Sequence, residues 1–333
     1  MKALFHHVMD VVVEDGKYYP RRFTEKQTAA LSVLNEWFGR NSRSCAGVAL
    51  KGYTTAETVS FSYYGKLHSS AMSGFDFYEN GILLHNVKLT AETLETGRIV
   101  YEKQTPGEVL LEIVFPSGVE LSLWDIDFGD WRPYDASGEQ LVVWYGDSIT
   151  QSTAVETPSL IFPALASRLT GMNHVNRGIG SLFFDETVLD EDDPLHPDVV
   201  MVELGANDLV KHGPDKKVLI VDEAAQFCTI EDVPMLIETA RAYLEKLKKI
   251  YPYAQIKVMT MLWEYLEKNE SRIETLHAYR AGLEALIKEL DLEFIDGLTL
   301  MPHLEMCCIA DRIHLSTIGS MAAAQSLAKY LRG

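Results

Sequence analysis

Ser148 lies in "YGDSITQ", residues 145–151, directly after the apolar run "LVVW" at 141–144. A serine hydroxyl is a weak nucleophile until a base takes its proton, and serines more often cap helices or fill turns. Its meaning therefore depends on distant partners. In "DRIHLS", residues 311–316, Asp311 and His314 are three apart. One turn can then aim a carboxylate at the imidazole Nδ1–H while Nε2 faces a hydroxyl. In "ELGAND", residues 203–208, Gly205 permits a tight turn and Asn207 can donate an amide N–H into a cleft. The glycines of "NRGIGS", residues 176–181, let backbone N–H groups approach a ligand closely. Nucleophile, base, orienting acid and oxyanion donors are together the parts of acyl transfer. Ser…Asp…His is one of the convergent triad orders, but "GDSIT" has Thr150 where a G-x-S-x-G elbow needs Gly.

These residues must be positioned by the elements around them. From about residue 140 the rhythm is strand, loop, helix. Strands are expected at 141–145, 173–176, 198–204, 255–261 and 292–295, and helices at 158–170, 232–250, 270–290 and 316–331. Strands apolar on both faces that alternate with helices imply a parallel sheet sandwiched by helices, an α/β fold. Ligands bind such sheets beyond the carboxyl ends of the strands. Ser148, "NRGIGS", Asn207 and "DRIH" all fall just after a strand. The segment 211–230 has no clear period and reads as an insertion.

Residues 44–130 have a different texture. "ETVSFSYYG" sets Val59, Phe61 and Tyr63 on one face, and "GVELSLWDIDF" does the same with Val119, Leu121 and Leu123. "GILLHNVKL", "RIVYEKQ" and "EVLLEIVF" continue the series, which suggests an antiparallel β-sandwich. One helix is expected near 25–38, opened by a capping box of Thr24 and Gln27. The polar stretch 131–140 marks the boundary, giving an accessory domain at 1–135 and a second domain at 136–333.

Composition bounds the partners. The 333 residues carry a net charge of −18, which argues against nucleic acid and against an anionic membrane surface. The four cysteines are scattered without metal spacing, and no metal is expected. The first residues do not read as a signal peptide, so the expected compartment is the cytoplasm. Asp147, beside Ser148, is given no proton-transfer role, and Asp208 is read as structural.

"GDSIT", the Gly of "NRGIGS", "GAND" and "DRIH" resemble, in order, the four sequence blocks of the SGNH (GDSL) hydrolase superfamily, over residues 140–333. The resemblance implies a flavodoxin-like sheet of strand order 2-1-3-4-5 and a Ser148–His314–Asp311 triad. It also implies an oxyanion hole formed by the N–H of Ser148, a backbone N–H at 180–181 and the Asn207 side chain. The family usually has Gly at the position of Ser181, with Gly180 one residue earlier, so both remain candidates. "SGFDFY", residues 73–78, resembles the G-x-D-L-Y element of a β-sandwich (jelly-roll-like) domain that precedes SGNH domains in some bacterial esterases, with Phe77 in place of Leu. Such a domain would pack on the catalytic one and help to shape its site.

The resemblance implies a cofactor-independent serine ester hydrolase acting on a small-molecule ester, with short acyl (acetyl) groups on a carbohydrate or other polar alcohol favoured. An acyltransferase or a lipase or thioesterase would use the same triad, and a sugar-binding module with an inactive site is the non-enzyme alternative. Homo-oligomerisation is left open.

Overall fold

The computed structural model describes residues 1–68, 73–152, 154–210, 227–263, 272–311 and 313–332. Most of the expected insertion at 211–230 lies outside the described residues, as do Arg312 and the first residues of the helix expected at 270–290.

Two antiparallel sheets build the N-terminal part. One contains β1 (Phe5–His6), β4 (Ala49–Thr54), β6 (Gly74–Glu79), β7 (Ile82–Lys88) and β9 (Val109–Val114), in the order β1-β4-β9-β6-β7, with β11 (Trp131–Pro133) paired to β4. The other contains β2 (Asp10–Glu14), β3 (Lys17–Arg21), β5 (Thr58–Leu67), β8 (Thr96–Glu102) and β10 (Val119–Asp127), in the order β2-β3-β10-β5-β8. Val59, Phe61, Tyr63, Val119, Leu121 and Leu123 are buried in one cluster with Phe75, Phe77 and Leu111 from the facing sheet. The period-two pattern therefore marks the inner faces of a sandwich.

The third sheet is wholly parallel. It is formed by β12 (Leu141–Gly146), β13 (Asn173–Gly178), β14 (Val199–Glu203), β15 (Gln255–Met259) and β16 (Glu293–Ile295). Its order, β13-β12-β14-β15-β16, is the 2-1-3-4-5 of a flavodoxin-like sheet. Within β12, Val142 and Trp144 pack on the side of α5 (Phe162–Thr170) and α8 (Thr317–Leu331). Val143 and Tyr145 face α6 (Val233–Ile250) and α7 (Ile273–Glu289). Burial on both faces is why β12 and β14 carry the apolar runs Val142–Trp144 and Val199–Val202.

The single helix expected at 25–38 is two, α1 (Glu25–Leu34) and α2 (Glu36–Asn41). Asn35 is extended (φ −160°) and its side chain accepts the Trp37 N–H, so it ends the first helix and caps the second. The Thr24–Gln27 capping box is present. Phe23, Leu31, Leu34 and Phe38 enter the core beneath the parallel sheet, so residues 23–38 pack with the C-terminal half rather than inside the sandwich. A short helix, α3 (Ala91–Leu94), bridges two sandwich strands.

The "GFDFY" strand joins the two halves. Buried Asp76 accepts hydrogen bonds from the Ser159 N–H (2.9 Å) and hydroxyl (2.5 Å), while the Tyr78 hydroxyl donates to Ser159 Oγ at 2.8 Å. Glu112 on β9 makes a two-pronged ion pair with Arg168 of α5, whose guanidinium lies over the Tyr78 ring. A buried carboxylate requires such partners, so these contacts set how the sandwich docks beside the loop at 155–161.

Candidate active site

Ser148 opens α4 (Ser148–Gln151), a single turn at the carboxyl end of β12. It is not the cap. Asp147 takes that role, its Oδ1 accepting the Ile149 N–H at 2.8 Å, which frees the Ser148 hydroxyl. That hydroxyl lies 2.7 Å from His314 Nε2, and His314 Nδ1 lies 2.6 Å from Asp311 Oδ2. The other Asp311 oxygen accepts the backbone N–H groups of Ile313 (2.9 Å) and His314 (3.0 Å). Burial alone would raise the Asp311 pKa, but the bonds from the imidazole and these amides lower it to about 2. Ser316 then caps α8 by accepting the Gly319 N–H, so the loop carrying the acid and the imidazole is held at its far end.

Asn207 opens a 3-10 turn, Asn207–Leu209, beyond β14. Gly205 precedes it with φ +127°, a conformation that favours glycine. The Asn207 amide donates to Asp147 Oδ2 at 2.9 Å and to the Leu182 carbonyl at 3.1 Å. Asp147 thus links the turn after β14 to the turn after β12. Its burial raises its pKa to about 6.

The loop after β13 separates the two oxyanion candidates. The Gly180 N–H is committed to Gln151 Oε1 at 2.8 Å, whereas the Ser181 N–H has no acceptor among the described residues. Ser181 has φ +59°, a left-handed conformation costing an L-residue about 1–2 kcal/mol, which is why glycine suits this position. Gly180 is needed for space. A β-carbon there would stand 2.9 Å from Trp37 Cη2 and 3.5 Å from Ser148 Cβ.

Sequence reasoning missed the residues that hold this loop. Gln151, within the quoted "YGDSITQ", exchanges hydrogen bonds with the Asn41 side chain (2.8 and 3.1 Å) and donates to Ser44 Oγ (3.0 Å). Fully buried Arg22 donates to the carbonyls of Asn176 (2.5 Å), Gly178 (3.1 Å), Ser44 (2.6 Å) and Asn41 (3.2 Å). Burial lowers its pKa to about 9, and its acceptors are neutral. A cation held by carbonyls fastens the end of β13 to the turn at 41–44. Nothing local in "YPRRFTE" announces that role.

Asp208, beside Asn207, accepts the Phe184 N–H at 3.2 Å, while its Oδ2 has no partner among the described residues. Burial, reinforced by the nearby Asp147, raises its pKa to about 7. An acid whose folded pKa is raised adds stability below its unfolded pKa near 4, and that stability is lost as pH rises towards 7. Asp147 contributes in the same direction. Asp208→Asn mimics the protonated form, so the variant is expected to be more stable than the native protein at pH 8 by on the order of 2–4 kcal/mol. Denaturant unfolding at pH 4 and pH 8 checks this, since the advantage must vanish at pH 4.

A parallel sheet of this order, with Ser, Gly and Asn at successive strand ends and His before the last helix, has the architecture of the SGNH hydrolases. Residues 144–322 match the GDSL-like lipase/acylhydrolase family model, and the chain belongs to that family. No curated protein matches the chain in sequence. Three solved structures show the same fold. SsfX3, a salicylyl-acyltransferase from a tetracycline biosynthetic pathway, is 16% identical with a TM-score of 0.79, covering 98% of this chain and 93% of that one. A protein from Bacteroides ovatus, described as GDSL-like, is 16% identical with a TM-score of 0.71, covering 99% and 96%. The acetyl xylan esterase Est2A from the rumen bacterium Butyrivibrio proteoclasticus is 14% identical with a TM-score of 0.60, covering 98% of each chain.

Proposed function

We propose that this protein is a serine ester hydrolase acting through Ser148, His314 and Asp311. The observation that carries the reading is the unbroken line of hydrogen bonds from Ser148 Oγ through the imidazole to Asp311, 2.7 and 2.6 Å. Ser148 Oγ attacks the ester carbonyl carbon as His314 Nε2 takes its proton. The tetrahedral oxyanion is held by the N–H groups of Ser148 and Ser181 and by the Asn207 side chain, which exchanges its bond to the Leu182 carbonyl for one to the oxyanion. Gly180, whose N–H is engaged by Gln151, acts by admitting Trp37 and Ser148 to close packing. Collapse expels the alcohol, which receives the proton from His314. Water, deprotonated by the same imidazole, then attacks the acyl-enzyme, and the carboxylic acid leaves. No cofactor takes part in these steps.

The preferred substrates are short acyl esters, acetyl the simplest, of a carbohydrate or other polar alcohol. Support comes from the fold match to the acetyl xylan esterase Est2A, which extends over 98% of each chain and so includes the N-terminal sheets. A panel of p-nitrophenyl esters from acetate to decanoate tests this, with turnover expected to be fastest on the shortest chains. A preference for decanoate would overturn the short-chain assignment. Product analysis with an added alcohol acceptor separates hydrolysis from acyl transfer.

A further inference from the structure

Beyond the oxyanion turn lies a small cavity of about 60 Å³, open to solvent, which the proposed mechanism does not use. Ala206 and Leu209, the neighbours of Asn207 and Asp208, form one wall, and Phe227 and Leu276 form the others. Arg272 stands among these apolar side chains with its guanidinium carbon 3.0 Å from the centroid of the Phe227 ring. The main chain holds the walls together, the Cys228 N–H donating to the Leu209 carbonyl at 2.9 Å.

Arg272 differs from the ion-paired arginines of this chain. Acids outnumber bases 48 to 30, and Arg132, Arg168, Arg177 and Arg241 each pair with a carboxylate. Among the described residues no carboxylate pairs with Arg272. Burial lowers its pKa, the direction for a cation that has lost water without gaining a counter-ion. A planar guanidinium stacked on an aromatic face keeps its in-plane N–H donors available for a carboxylate.

Geometry selects the part of the substrate that reaches this cavity. His314 must protonate the departing alcohol, and it approaches from the α8 side of the sheet. The cavity is lined by Leu276 of α7 and by Ala206 and Leu209 of the Asn207 turn, which pack in the cluster on the opposite face. The carbonyl substituent that points there is the acyl chain.

We propose that this cavity is an acyl subsite for esters whose acyl chain is short, apolar and terminated by a carboxylate, with Arg272 holding that carboxylate. The substrate class is the monoester of a small dicarboxylic acid. The assignment rests on the ester-hydrolase reading and refines it: the chain preference has an anionic branch that a test with simple fatty acyl esters would not detect.

The test compares p-nitrophenyl hydrogen glutarate with p-nitrophenyl valerate, its uncharged five-carbon counterpart, after subtraction of spontaneous hydrolysis. A charge-assisted contact predicts a kcat/KM for native protein at least about tenfold higher on the glutarate. Arg272→Gln is expected to bring that ratio to about one, and Arg272→Lys to restore part of it. A ratio near one in the native protein, or one unchanged by Arg272→Gln, overturns the subsite. Binding of monomethyl glutarate to Ser148→Ala, followed by calorimetry, separates the two proposals. Binding that is lost on adding Arg272→Gln supports the subsite even if no ester is hydrolysed, in which case the hydrolase reading alone fails. Absence of binding overturns the subsite whatever the esterase activity.

Discussion

Ser148→Ala is expected to lower hydrolysis of a short p-nitrophenyl ester by about 10⁴–10⁶-fold, leaving only the contribution of substrate binding and oxyanion donors. The same variant is expected to melt within a degree or two of the native protein. The two outcomes separate because the helix cap is Asp147, whose Oδ1 accepts the Ile149 N–H, and not Ser148. Ser148 Oγ bonds His314 and carries no part of the fold. Stopped assays beside a thermal melt decide the matter. Activity that persists would remove Ser148 as nucleophile, whereas joint loss of activity and of folding would make it a structural residue.

Asp311→Asn is expected to cost about 10³–10⁴-fold in kcat, by a different route. The two amides that bond Asp311 Oδ1 would keep their acceptor in asparagine, so the loop should hold its shape. The new NH₂ group, facing Nδ1, would select the tautomer with hydrogen on Nε2. That nitrogen could then donate to Ser148 but could not accept its proton. Because the Asp311 pKa is lowered to about 2, its carboxylate stays ionised throughout the usual assay range. Loss of native activity on acidification should therefore not come from protonation of Asp311. The stability linked to Asp311 is present above its unfolded pKa near 4 and fades only as pH falls towards 2. With the side chain 40% exposed, solvent screening keeps that contribution small. A pH–rate profile for the variant that is as tall as the native one and unshifted would show that the carboxylate does not orient the base.

The parallel sheet was the most legible part of the fold. Val142, Val143 and Trp144 are buried, and a strand covered by helices on both faces favours apolar side chains at successive positions, which makes its run readable. The inner faces of the sandwich were readable for the complementary reason: Val59, Phe61 and Tyr63 alternate with less apolar neighbours. The break at Asn35 was not read, because Ala30, Leu31, Leu34 and Phe38 keep a helical spacing across it and a mid-helix asparagine looks the same whether or not it caps. The placement of residues 23–38 against the parallel sheet was hidden as well, since an apolar helix face does not name the surface that covers it.

The candidate site divides in the same way. Residue types and their place after strands were enough to assemble Ser148, Asn207, Asp311 and His314 on paper, because acyl transfer demands a base, an orienting acid and donors, and few side chains can fill each role. The amino-acid sequence by itself determined the residue types that stand at the strand ends and the edge of the sheet that they share. Only the tertiary structure decided which backbone N–H remains open at 180–181, that buried Arg22 and Asn41 from the N-terminal part support that loop, and that a guanidinium stacked on Phe227 lies beyond Asn207. Those outcomes depend on which groups meet at about 3 Å in three dimensions, across separations of 29 to 154 residues, and such contacts are too short-ranged and directional to be inferred from spacing along a chain.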